Sequence, residues 1–146
     1  MQVPLLQLPH AQGLPLPEYA SHGAAGLDLI AAVDGRYPLH PHCTAAVPTG
    51  LAIALPEGFE GQVRPRSGLA LHHNIGIINS PGTIDSDYRG EIMVLLTNFG
   101  ADTYYIERGD RIAQLVIARV ERIDWALSDN LPPSERSEGG FGHSGR

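Results

Sequence analysis

Lysine is absent from this chain of 146 residues: all ten basic side chains are arginines. Without a lysine nitrogen there is no Walker A loop, no protein-kinase lysine and no Schiff-base chemistry. A basic excess is missing as well. Sixteen acidic residues against ten basic ones leave a formal charge of −6, opposite to the footprint of a nucleic-acid binder. Cys43 is the only cysteine, which excludes an intrachain disulfide, a cysteine-based zinc site and the Cys-x-x-Cys pair of zinc deaminases. Long apolar runs are also lacking. A stretch such as Ile92 to Leu96 falls far short of the roughly 20 residues that cross a bilayer, so no membrane partner is expected. No basic residue precedes Arg36, so a charged secretory leader is not expected, and the cytoplasm is the expected location. There is no Gly-x-Ser-x-Gly elbow, and neither His40-Pro41-His42 nor His72-His73 has the spacing of a metal motif.

What the chain does have is punctuation. Seventeen glycines and twelve prolines are too many for a helical bundle and suit many short strands joined by turns. Leu51, Ile53 and Leu55 alternate with small residues, the period of a half-buried strand. Short runs of similar character cover 27–32, 43–47, 61–64, 75–79, 91–98, 103–106 and 111–120. Turn signals separate them, among them Val33-Asp34-Gly35, Pro56-Glu57-Gly58, Pro81-Gly82 and Arg108-Gly109-Asp110. Eight or so strands at this spacing predict an all-β domain, a closed barrel or jelly roll that deals with its own edges. One short helix is expected over 67–72, with Ser67 as its N-cap. The proline-rich first seventeen residues predict an extended edge segment. A barrel domain over 1–131 is followed by a Gly-rich arm, 132–146, whose composition predicts disorder in isolation.

Four segments concentrate chemistry. In Ile77 to Glu91 an apolar strand meets Pro81-Gly82, then Asp85, Asp87, Tyr88 and Arg89, then apolar residues again: a hairpin with a polar bend. Its acids either cap turn N–H groups or supply one general base, and spacing alone leaves Asp85 and Asp87 equal. Arg64 and Arg66 lead into Ser67-Gly68 at a helix start, a combination suited to phosphate. Gln114 stands between Ala113 and Leu115 and needs a partner if it faces inward, either backbone or a ligand. Asp28 sits inside an apolar strand, where a lone carboxylate is costly, so it is expected to find an arginine, a strand end or a metal shell, an arginine being the more usual answer.

In order along the chain, five segments resemble the five motifs of the trimeric dUTPases (deoxyuridine triphosphate nucleotidohydrolases). They are Ala25-Gly26-Leu27-Asp28-Leu29, Pro65-Arg66-Ser67-Gly68-Leu69, Gly82-Thr83-Ile84-Asp85-Ser86-Asp87-Tyr88, Arg108-Gly109-Asp110-Arg111-Ile112-Ala113-Gln114, and 136–145 from Arg136 through Phe141. The resemblance runs from about Pro15 to the C-terminus. It implies a jelly-roll-like β-clip subunit in a homotrimer whose three active sites each draw on all three chains. The implied reaction is hydrolysis of dUTP to dUMP and pyrophosphate with Mg²⁺, which keeps uracil out of DNA and supplies dUMP for thymidylate synthesis.

The same resemblance implies the roles of single residues. Asp85 is the base for water attack on the α-phosphorus, and Gln114 helps to place that water. Arg66, Ser67 and Gly68 hold the triphosphate, joined by Arg136 from the arm. Asp28 reaches Mg²⁺ through water, the metal being held mainly by the triphosphate. Asn79 and the backbone of Thr83, Ile84, Asp85 and Met93 read the uracil edge. Tyr88 packs on the sugar, and Phe141, followed by Gly142, stacks on the base. The related dCTP deaminases share the fold, but the 85–88 segment and the Phe141 arm are hydrolase-like. A nucleotide-sensing module without turnover is disfavoured by the joint presence of Asp85, Gln114 and Arg136.

Overall fold

Alternating burial along 44–48 makes Thr44–Pro48 a strand with Ala45 and Val47 turned inward. The same logic, repeated along the chain, builds the rest. The computed structural model describes residues 1–139. In chain order they form β1 (Leu5–Gln7), a 3₁₀ turn (Pro9–Ala11), β2 (Leu27–Ile30), β3 (Arg36–Leu39), β4 (Thr44–Pro48), β5 (Leu51–Ile53) and β6 (Phe59–Arg64). There follow α1 (Ser67–His73), β7 (Ile75–Ile77), β8 (Gly82–Ile84), β9 (Met93–Asn98), β10 (Tyr104–Glu107) and β11 (Arg111–Arg119). The expected all-β architecture with one short helix is borne out.

The strands pair as four small antiparallel sheets, ordered β1-β5, β10-β3, β2-β11-β6-β8 and β4-β9-β7. Between them lies one core of Leu, Ile, Val and Ala side chains, including Leu29, Val47, Val94, Leu96, Ile106 and Ile112. Each large member contributes about 1.5–3 kcal/mol by leaving water. Among the described residues the buried apolar set is wholly aliphatic.

The structure corrects three expectations and refines a fourth. β1, β3 and β8 are strands that the patterning did not flag, so the described chain has eleven. Ser67 is the first helical residue rather than the N-cap; Arg66 holds that place with extended backbone and no side-chain cap, and the helix runs one residue further to His73. The expected hairpin over 77–91 is present at its base, where β7 pairs antiparallel with β9 and Ile77 stands opposite Leu96, but its bend makes an excursion. β8 pairs with β6, whereas β9 pairs with β4 and β7, so 85–92 crosses from one sheet to another. The last strand ends at Arg119, and 120–138 is exposed throughout.

Candidate active site

The four-stranded sheet sets the polar centre of the molecule. Near the start of β11 the register with β2 shifts between Arg111 and Ala113, a bulge. Beyond it Ala113 and Leu115 are buried while Gln114 stands opposite Asp28 on one side and Arg64 on the other. Asp28, Gln114 and Arg64 thus share one row across three strands. A bulge of one residue is what keeps the apolar neighbours inward and the amide outward.

Asp28 finds arginines, as the cost of a lone carboxylate requires. Arg66 Nε donates to its Oδ1 at 3.0 Å and Arg111 Nη1 to its Oδ2 at 3.3 Å. Arg66 Nη1 also donates to the Arg111 carbonyl at 3.2 Å. Two anchors fix the guanidinium plane. Gln114 Nε2 donates to the Pro65 carbonyl at 2.9 Å, which orients its amide oxygen toward Gly26. Asp28, Arg66, Ser67, Gly68, Arg111 and Gln114 line a polar recess of about 350 Å³. Behind it Tyr104 is half-buried and tilts against His73, with ring centroids 5.1 Å apart. Burial raises the Tyr104 phenol above the ordinary tyrosine value; Asp110 adds to the rise and Arg66 opposes it.

A second recess, about 250 Å³, opens between β8 and β9. Asn79, Thr83, Ile84, Asp85, Tyr88, Glu91 and Met93 line it, with Val63 and Leu95 supplying apolar surface. Gly82 matters here. A Cβ on it would stand 3.1 Å from Asn79 Nδ2 and 3.5 Å from Val63 Cβ, so the bare backbone lets the Asn79 amide lie alongside. The Tyr88 phenol donates to the Glu91 carbonyl at 2.9 Å, and Tyr88 N–H closes a turn onto the Asp85 carbonyl at 3.1 Å. Of the two acids that spacing left equal, Asp85 lines this recess and Asp87 does not. Sequence reasoning missed Glu91 and Arg111, although both stand beside residues it singled out.

The two recesses share no lining residue. A third recess, about 480 Å³, shares Arg66, Ser67 and Gln114 with the first and reaches Ser80 and Pro81, which lie between Asn79 and Gly82 of the second in the chain. At about 250 Å³ the second falls below the roughly 300–1,000 Å³ of a pocket for a drug-sized ligand. Arg136 lines neither recess; its Nε donates to the Gly139 carbonyl of its own turn at 2.7 Å. Phe141 and Gly142 lie outside the described residues.

An all-β shell with an arginine-lined anion recess and a small pocket for a flat ring defines a nucleotide-binding protein. Residues 12–145 match the dUTPase family, and the chain belongs to it. It is 54% identical over 145 residues to the deoxyuridine 5′-triphosphate nucleotidohydrolase of Anaplasma marginale (strain St. Maries), covering 99% of each chain. Among solved structures it is similar to the Staphylococcus bacteriophage 80alpha dUTPase with dUPNHPP, at a TM-score of 0.90 and 26% identity, with 99% of each chain covered. A variant dUTPase from phage phi11 of S. aureus, described with a structural Mg(II) ion, has the same fold. Its TM-score is 0.81 at 23% identity, over 91% of this chain and 100% of that one.

Proposed function

We propose that this protein hydrolyses dUTP to dUMP and pyrophosphate, as a cytoplasmic homotrimer whose sites join one copy's base pocket to another's anion recess. The observation that carries this is that the two recesses share no lining residue within one chain. Asn79 and the backbone of Thr83, Ile84, Asp85 and Met93 meet the uracil edge, and Tyr88 meets the sugar. Arg66, Ser67 and Gly68 take the phosphates. In a chain of net charge −6, a substrate near −4 demands this local cluster of guanidiniums.

Asp85 accepts the proton of a water that Gln114 helps to orient. The water oxygen bonds to the α-phosphorus in line with the departing pyrophosphate, whose bond to that phosphorus breaks. No nucleophilic side chain is required, because phosphoryl transfer depends on positioning and charge stabilisation. The arm 132–146 brings Arg136 to the phosphates and Phe141, with Gly142, to the base.

Among the described residues no group of three His, Cys, Asp or Glu is placed to cage a metal. Both Asp28 oxygens are already engaged by arginines. This donor set fits a Mg²⁺ held by phosphate oxygens and water, with Asp28 reaching it through water. When bound, Mg²⁺ neutralises phosphate charge and fixes phosphate geometry. Pyrophosphate release from dUTP tests the proposal: the wild type turns over with Mg²⁺, and Asp85→Asn lowers kcat by at least about a hundredfold. Tight dUTP binding without turnover in the wild type would overturn it.

A further inference from the structure

The N-terminal turn makes a contact that none of these roles uses. His10, on the 3₁₀ turn, places Nε2 2.9 Å from Oε1 of Glu91. The same oxygen accepts the Gly50 N–H at 2.6 Å. Glu91 then offers its main-chain carbonyl to the Tyr88 phenol at 2.9 Å. The phenol reaches it because Gly90 is bare; a Cβ there would collide with the Tyr88 ring. Imidazole, carboxylate, carbonyl and phenol thus form a connected path from the turn into the base pocket.

The turn is itself anchored. Arg108 Nη1 donates to the His10 carbonyl at 2.8 Å and Nη2 to the Gln12 carbonyl at 3.1 Å. Gln7 Nε2 donates to the carbonyls of Ala11 and Leu14, both at 2.9 Å. Ala11 is buried against Gly50, whose φ of +66° and lack of a side chain admit it there. The crossing loop has weaker restraint on its outer limb, where Arg89 donates to the Ser86 and Tyr88 carbonyls of the same loop. The match to the dUTPase family begins at residue 12, so His10 lies outside it.

We infer that His10 is a positioning residue for sugar discrimination. By holding the Glu91 carboxylate against the Gly50 turn, it joins the Ile92 N–H bond to the Leu51 carbonyl (2.8 Å) in fixing the Glu91 carbonyl that sets the Tyr88 ring. This inference rests on the reading of Tyr88 as the group that meets the sugar. An exposed ion pair with only a structural role changes melting temperature and leaves selectivity alone. A strut aimed at Tyr88 changes the preference for deoxyribose over ribose.

The test is steady-state pyrophosphate release from dUTP and UTP by the full chain, with melting temperatures alongside. Tyr88→Ala collapses the ratio of kcat/KM for dUTP over UTP. His10→Ala lowers that ratio about three- to tenfold, mostly through KM for dUTP, a change worth up to one tenfold step. His10→Gln, whose amide can still donate to Glu91, recovers most of it. A His10→Ala variant with a lower melting temperature and an unchanged ratio, where Tyr88→Ala does collapse it, overturns the role of His10 alone. An unchanged ratio in Tyr88→Ala overturns the sugar reading and this inference with it.

Discussion

Gly26 faces the side-chain amide of Gln114 so closely that a Cβ on the glycine would fall on the amide oxygen. The glycine of the first motif therefore fixes the position of the glutamine of the fourth. Gly26→Ala displaces mainly the amide end of Gln114, with a tight 3.3 Å contact to Gln114 Cβ that a shift of a few tenths of an ångström relieves, so the fold survives. The expected result is a kcat reduced about tenfold or more with a melting temperature within a few degrees of the parent. Pyrophosphate release and a thermal melt on the same preparation check it; unchanged kcat would mean that the Gln114 amide position is irrelevant to turnover.

The stretch after β11 makes a second prediction. Trp125 is 89% and Leu127 104% exposed, near the exposed Ile123 and Leu131, apolar side chains left uncovered among the described residues. Covering such side chains with another copy stabilises the assembly by about 1.5–3 kcal/mol apiece. The double change Trp125→Ser and Leu127→Ser is expected to turn the proposed trimer into monomers and to lower activity more than tenfold, because the recesses of neighbouring copies could no longer meet. Sedimentation velocity reads the first effect. A persistent trimer would place the subunit contact elsewhere.

Tyr104 makes stability depend on alkaline pH. Its phenol is raised first by burial, then by Asp110, so the folded chain holds this proton more tightly than the unfolded chain does. The stability that results is complete below the unfolded value near ~10 and is lost as pH climbs through the higher folded value. Tyr104→Phe removes the titration. Its melting temperature is expected to fall less steeply than the parent's as pH rises above the ordinary tyrosine value. Parallel profiles would show that Tyr104 does not carry the effect.

How much was legible followed the range of the interactions. β5 and β11 announced themselves because their aliphatic runs are local, although β5 is buried at all three positions rather than on the one face its alternation suggested. β3 carries Pro38, β1 follows Pro4 and β8 follows Pro81. Each has only three or four residues and exists because a partner distant in the sequence pairs with it. Asp28 was readable from the cost of a buried charge, which demands a cation whatever the fold. The His10–Glu91 contact spans 81 positions, with neither residue in an apolar setting that would advertise a need. The choice between Asp85 and Asp87 likewise depends on which one the crossing loop turns into the recess, and spacing does not encode that.

The interior of the shell contains no aromatic ring among the described residues, and the chain's single tryptophan stands outside it. An indole so placed is an optical gauge of one event. Its emission follows whether the segment around 125 is wrapped by a neighbour, and melting of a shell already separated from its neighbours leaves that signal unmoved. Separation of the copies and loss of the shell can therefore be watched independently, the first by fluorescence and the second by circular dichroism.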